Sequence, residues 1–235
     1  MCFNSAEAHI VFVHTPKCGG TTLYHLLKAN FRESEIYPLG KLRGKYSGQS
    51  KTKEDMEEAI QTHPNVDHEL IWGHFPIWFL KRKDTQYDKA YIFTVLRDPV
   101  ERVLSHDRYR YRVDRDEGRK AKFNPLTINP NFTCKMLCSD ITLDDDEMLR
   151  DCIQNLERMD FIIFMDDYEN GVRRLFKDLG LRLPKRIPRR EVSNTPELSS
   201  LQKISDETIE QVKELNSLDV RLYEYANKYF RKPRY

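Results

Sequence analysis

Read as hydrophobic and polar positions, the chain is a series of short apolar runs set between longer mixed stretches. The runs are "HIVFVH" at 9–14, "ELIWG" at 69–73, "AYIFTVL" at 90–96 and "DFIIFM" at 160–165. Each is continuous rather than alternating and rich in β-branched and aromatic residues, the pattern of a strand buried on both faces. Between the runs the period becomes helical. Leu23, Leu26 and Leu27 share one face of a helix predicted over 22–31. A second helix starts at Asp98-Pro99, where the aspartate caps and the proline fits the first turn, and runs to about Val113. A third spans 167–179 and stops at Gly180. Ile209, Val212, Leu215, Leu218, Leu222 and Ala226 keep helical spacing over 205–230, with Asn216-Ser217 as a break. Thr52 reads as the N-cap of an acidic helix over 53–62, after a glycine-rich loop at 40–52. Short strands alternating with helices predict an α/β fold, a central parallel sheet flanked by helices on both faces. The length suits one domain over 1–235, with 115–130 as a loop inside it.

Composition narrows the partners. With 39 basic and 37 acidic residues the net charge is +2, so no global field for nucleic acid exists and any anion site must be local. No apolar run approaches the ~18–20 residues of a membrane span. "MCFNSAEAHIVFV" has no basic segment before its apolar stretch, so no signal peptide is expected. Five cysteines do not make a disulfide framework. Cys134 and Cys138 share a helix face and read as small apolar core residues. No acidic metal set is found; the run Asp144, Asp145, Asp146, Glu147 is explained by a helix start, where carboxylates cap and oppose the dipole.

The chemistry begins where the first strand ends, in "IVFVHTPKCGGTTL". Gly19 and Gly20 let the backbone curl toward an anion. The amides of 18–22 open a helix, Thr21 and Thr22 add hydroxyls, and Lys17 adds charge, together a nest for a phosphate-like group. It is not a Walker A loop, whose lysine follows its glycines; here Lys17 precedes them. "HTPKCGGTTL" resembles the 5′-phosphosulfate loop of sulfotransferases that use 3′-phosphoadenosine 5′-phosphosulfate (PAPS), most nearly the polysaccharide branch of the heparan sulfate 2-O and 6-O type. The resemblance implies a P-loop-containing sulfotransferase fold, PAPS as co-substrate with no metal, and Lys17, Cys18, Gly19, Gly20, Thr21 and Thr22 as cofactor-binding residues. Cys18 stands where relatives often have threonine, and contributes its amide.

A second segment, "TVLRDPVERVLSHDRYRY", resembles the family's 3′-phosphate motif at its full spacing. Arg97 ends a strand and Ser105 lies two turns into the next helix, so a guanidinium and a hydroxyl can hold one phosphate. Arg102 between them is assigned to pairing with local carboxylates. His74, in "LIWGHFPIWF", resembles the Gly-His base of the polysaccharide branch, and an imidazole suits proton removal near neutral pH. The 2-O enzymes carry a second histidine two positions earlier, where this chain has Trp72; a single-histidine mechanism fits better. Lys17 then neutralises the departing phosphate. His14 is read as orienting the loop and His106 as a cleft residue. In "LPKRIPRREVSNTP" the resemblance implies nucleotide contacts by Arg189, Arg190, Ser193, Asn194 and Thr195. The basic, tyrosine-rich 108–120 is either an acceptor surface or a solvated helix diluted by Asp114, Asp116 and Glu117.

The expectation is therefore a PAPS-dependent O-sulfotransferase acting on a hydroxyl acceptor, by resemblance a saccharide. It is expected in the cytoplasm of a bacterium, or as the lumenal catalytic domain of a Golgi-type enzyme. The alternatives are a nucleoside-kinase-like phosphotransferase, a polyanion-binding module using 108–122, and a catalytically dead relative.

Overall fold

The strands form where β-branched and aromatic residues can be buried from both sides. The computed structural model describes residues 9–37, 69–82, 89–187 and 204–231. Within these, Ile10–Val13 (β1), Ile36–Tyr37 (β2), Leu70–Gly73 (β3), Tyr91–Leu96 (β4) and Phe161–Phe164 (β5) make one sheet in the order β2-β3-β1-β4-β5. Every pairing is parallel. The two-residue β2 has no run of its own in the sequence and was not among the expected strands. The acidic helix at 53–62 and the loop at 40–52 lie outside the described residues.

Alternation along each strand feeds two cores. Val11, Val13, Ile71, Ile92, Leu96 and Phe164 point to one face. There they meet helices Ile77–Arg82 (α2), Phe132–Leu137 (α4), Asp145–Glu157 (α5) and Ser217–Phe230 (α8). Ile10, Phe12, Leu70, Phe93, Val95 and Ile163 point to the other face. These meet Gly20–Lys28 (α1) and Tyr168–Asp178 (α6), through Leu23, Leu26 and Leu27 of the first and Val172, Leu175 and Phe176 of the second. The sheet is thus covered on both sides, as its pattern requires. Pro99–Asp116 (α3) and Asp206–Leu215 (α7) pack through a smaller cluster of Val103, Ile128 and Val212.

Local signals set the helix ends. Asp98 accepts from the Glu101 amide and Pro99 sits in the first turn of α3. Asp144 and Glu147 form a capping box that opens α5, so the densest acidic run serves a helix start. α1 begins at Gly20, earlier than the predicted position 22, because the second glycine already lies in helical backbone. After α6, Gly180 takes φ 65°, a left-handed position that suits glycine. The break at Asn216 separates α7 from α8.

The described cysteines, Cys18, Cys134, Cys138 and Cys152, are free and buried, the last three in one core cluster. Burial pushes the Cys138 thiol up to about 12, while the Cys152 thiol and then burial push that of Cys134 up as well, so these are inert protonated core residues.

One charge is buried with them. Arg102, fully buried on α3, reaches across to Asp219 on α8 at 3.9 Å. The expected carboxylate is there, but it is remote in sequence rather than local. Asp219 also accepts from the amides of Thr133 (3.0 Å) and Cys134 (2.8 Å), capping α4. Replacing Asp219 by alanine strands a buried guanidinium and uncaps α4. It should cost about 3–5 kcal/mol in urea unfolding, while the paired change Arg102→Met, Asp219→Leu should cost much less. A loss under about 1 kcal/mol for Asp219→Ala, the range of exposed pairs, would show that the pair carries no such weight.

Candidate active site

Parallel register decides which residues meet. Val13 pairs with Gly73 of β3 on one side and with Thr94 of β4 on the other. The residues that follow these strands, His14–Gly20, His74 and Arg97, therefore emerge together at the carboxyl edge, where β1 lies between neighbours reached in opposite directions. Ligands of open α/β sheets bind at such a point.

The loop after β1 is held open by its backbone. Lys17 has φ 71° and Gly19 φ 70°, both left-handed, with Cys18 between them. For glycine this is free; for lysine it costs on the order of 1–3 kcal/mol. The offset comes from β4: Arg97 Nη1 donates to the Lys17 carbonyl at 3.0 Å, while Nη2 reaches Glu101 at 3.2 Å. A hydrogen bond from a charged donor is worth roughly 1.5–3 kcal/mol, the same size as the strain. Gly19 is pinned from α6 by the Tyr168 hydroxyl, which donates to its carbonyl at 2.8 Å. Left-handed residues set so closely in a turn help to aim successive backbone N–H groups into an anion-binding concavity. The loop leads straight into α1, whose first turn carries no acidic residue. The first amides of any helix have no acceptor within it, and they sit at its positive end.

Each remaining loop residue has a defined place. Cys18 is buried, its thiol turned back toward the Pro16 carbonyl and pushed up to about 11 by burial, so it presents backbone rather than side chain to a ligand. Thr21 is partly exposed and Thr22 buried in the first turn of α1. Ser105 is half-buried on α3, two turns beyond Arg97. The Lys17 ammonium lies 4.2 Å above the ring of Tyr109, a cation–π contact from the same helix.

The histidines gather beside the loop. His74 Nδ1 lies 3.0 Å from the His14 carbonyl. A carbonyl only accepts, so Nδ1 carries the hydrogen and the neutral ring keeps its lone pair on Nε2. The His14 and His74 rings stack at 4.4 Å, with an angle of 30° between planes. His14 is buried, and burial, then the charges of His74 and Lys17, push its basicity well below the ordinary range. His106 is brought down to about 4, by burial first and then by Arg102, Lys17, Arg110 and His74. The structure thus brings Lys17, Cys18, Gly19, Gly20, Thr21, Thr22, His74 and Arg97 to one edge, with Ser105 on α3 one turn before Tyr109. Ser193, Asn194 and Thr195, with Arg189 and Arg190, lie outside the described residues.

Sequence reasoning passed over Tyr168 and Tyr109. The first stands at the start of a helix with no motif around it. The second was visible only as part of the basic stretch 108–120. Three of its six cations form ion pairs in the structure: Arg110 with Asp107, Arg115 with Asp116, and Arg119 with Asp114 and Glu117. Among the described residues no group of three or more His, Cys, Asp or Glu is arranged to hold a metal, and no helix is long and apolar enough to cross a membrane.

Residues 2–226 match the model of the Sulfotransferase family. No curated protein matches the sequence. Among solved structures, a sulfotransferase from Alicyclobacillus acidocaldarius is 17% identical, with a TM-score of 0.42 over 89% of this chain and 96% of that one. The assignment rests on the family match.

The two depressed imidazoles make stability pH-dependent. In the unfolded chain both titrate near about 6.5; folded, they stay neutral to lower pH. The unfolded state therefore binds more protons below that value. Their contribution is full above about pH 6.5 and is lost as pH falls toward the His106 value of about 4. The melting temperature should drop through this window, less steeply in His106→Gln. Equal slopes in the two proteins would remove His106 as a cause.

Proposed function

The chain belongs to the sulfotransferase family, and from that premise we propose that it is a PAPS-dependent O-sulfotransferase acting on a hydroxyl acceptor, by resemblance of its motifs a saccharide. The observation that supports this is the convergence at one sheet edge. The Arg97 guanidinium is bonded to the Lys17 carbonyl, the glycine turn opens α1, and His74 stands beside them with Nε2 as its accepting atom.

Transfer of a sulfuryl group to an alcohol makes an S–O bond to the acceptor oxygen and breaks the one to phosphate. A base must take the hydroxyl proton, and charge grows on the leaving phosphate. His74 Nε2 takes the proton, and its Nδ1–H, held by the His14 carbonyl, keeps the ring aimed and steadies the imidazolium. Lys17, ahead of the glycine turn, faces the bridging oxygen. The amides of 18–22, with Thr21 and Thr22, cradle the 5′ side. Arg97 and Ser105 take the 3′-phosphate, and Ser193, Asn194 and Thr195 complete the nucleotide contacts. Arg97 is suited to this because a guanidinium has five donors, so it can keep the Lys17 carbonyl and Glu101 and still offer others to a phosphate. The donor set of cations and helix amides fits a bisphosphorylated nucleotide and needs no metal.

The test is a thermal-shift titration with 3′-phosphoadenosine 5′-phosphate. Stabilisation should follow ligand concentration, about 2.7 kcal/mol at a hundredfold excess over Kd. Lys17→Ala and Arg97→Ala should abolish it. His74→Ala should keep the shift but lose turnover of labelled PAPS against a panel of hydroxyl acceptors, by about 100-fold or more. Equal stabilisation by ATP with Mg²⁺, and none by the bisphosphate, would overturn the reading in favour of a phosphotransferase.

Arg97→Ala has a consequence without any ligand. It leaves the left-handed Lys17 without its tie, so the apo protein should lose about 1–3 kcal/mol in urea unfolding. Arg97→Lys should recover only part of this. An unchanged unfolding midpoint in Arg97→Ala would separate the arginine from loop geometry.

A further inference from the structure

The reading of His74 as base leaves unexplained why His14, a polar side chain, is sealed beneath it. His14 is 5% exposed, and neither ring nitrogen has a hydrogen-bond partner. A buried imidazole without a partner is costly, and an apolar side chain would fill the same space at lower cost. Its surroundings show what the ring touches. One side stacks on His74 at 4.4 Å. Phe12 (5.0 Å) and Trp72 (5.9 Å) fix its tilt. The ring edge meets Gly20: a Cβ built there would fall 1.8 Å from His14 Nε2 and 2.0 Å from Cε1. The glycine that opens α1 is therefore not left-handed, as Gly19 is, but cleared for this ring.

We propose that His14 is a positioning residue, a flat spacer wedged between His74 and Gly20 that fixes the separation of the base from the phosphate loop. This rests on the reading of His74 as base. Two properties suit the ring to the task. It is planar, so it can lie flat on His74 while its edge meets the bare Cα of Gly20. It also stays neutral beside Lys17, so it adds no like charge when His74 takes a proton. The same residue supplies the carbonyl that receives His74 Nδ1–H. One residue thus sets both the aim of the base and its distance from the helix opening.

The test reads the His74 ring directly in the protein alone, by ¹⁵N-histidine NMR of the imidazole tautomer. Wild type should show His74 as the single Nδ1–H form. His14→Phe, which keeps a flat ring and loses both nitrogens, should keep that form. His14→Ala should let the ring turn and show both tautomers. Gly20→Ala, made on the loop and not at the base, should drive His14 from its seat and disturb the His74 tautomer too. A single Nδ1–H form in His14→Ala or in Gly20→Ala would overturn the proposal. So would a His14→Phe variant with mixed tautomers, which would give the nitrogens a chemical role. Should His14→Ala fail to fold, Gly20→Ala and His14→Phe decide by the same criteria. The tautomer does not depend on PAPS, so a failed sulfotransferase assay and a failed spacer are told apart.

Discussion

A lysine in left-handed backbone is the constraint on which the site depends. Lys17 at φ 71° turns the chain out of β1 so that the next residues curl back and open α1. Nothing in a lysine favours that conformation. It persists because β4 delivers Arg97 to its carbonyl and α6 delivers Tyr168 to the carbonyl of Gly19. Both ties come from elements far away in sequence, so the loop exists only once the sheet is assembled. The strained turn and the guanidinium that relieves it are also the two cations proposed to face the nucleotide. In that proposal structural relief and ligand binding fall on the same groups.

Behind that edge the cation balance continues inward. Arg102 lies on the same helix as Ser105 and His106, buried against Asp219, and its charge acts on both Cys18 and His106. Asp219 in turn caps α4, while the Asn216 side chain accepts from the Asn131 amide and the Asn131 side chain from the Leu218 amide. The C-terminal helix is thereby connected, through one carboxylate, to the helix that carries Arg97 at its entrance. A buried pair of this kind is a poor source of net stability. Removing either partner would instead leave an uncompensated buried charge.

How much of this the sequence showed depended on range. The four strands with continuous apolar runs were legible because a strand buried on both faces must be apolar throughout. The capping box at Asp144 and the break at Asn216 were legible because caps are local. β2 was not, since two residues carry no pattern. Lys17, the glycines, Arg97, Ser105 and His74 stood out as motifs at strand ends, and parallel register did the rest. Tyr168, Tyr109, Asp219 and the wedge of His14 against Gly20 were illegible for one reason: each is a contact between elements, set by packing geometry that no spacing encodes.

The electrostatics carry a last step. Before any anion binds, the edge holds Lys17 and Arg97 with Arg102 behind them, and the imidazoles of His14 and His106 are driven toward neutrality by burial and by these cations. A bound polyanion would reverse the sign of the local field. The cost of a new positive charge nearby would then fall. The two buried imidazoles are thus discouraged from taking a proton in the empty protein. The cations needed to hold a phosphate and the proton acceptor needed for transfer would otherwise oppose each other at such short range. The anion proposed to lie between them would make the two requirements compatible, and an acidic residue in the first turn of α1, which carries none, would oppose it.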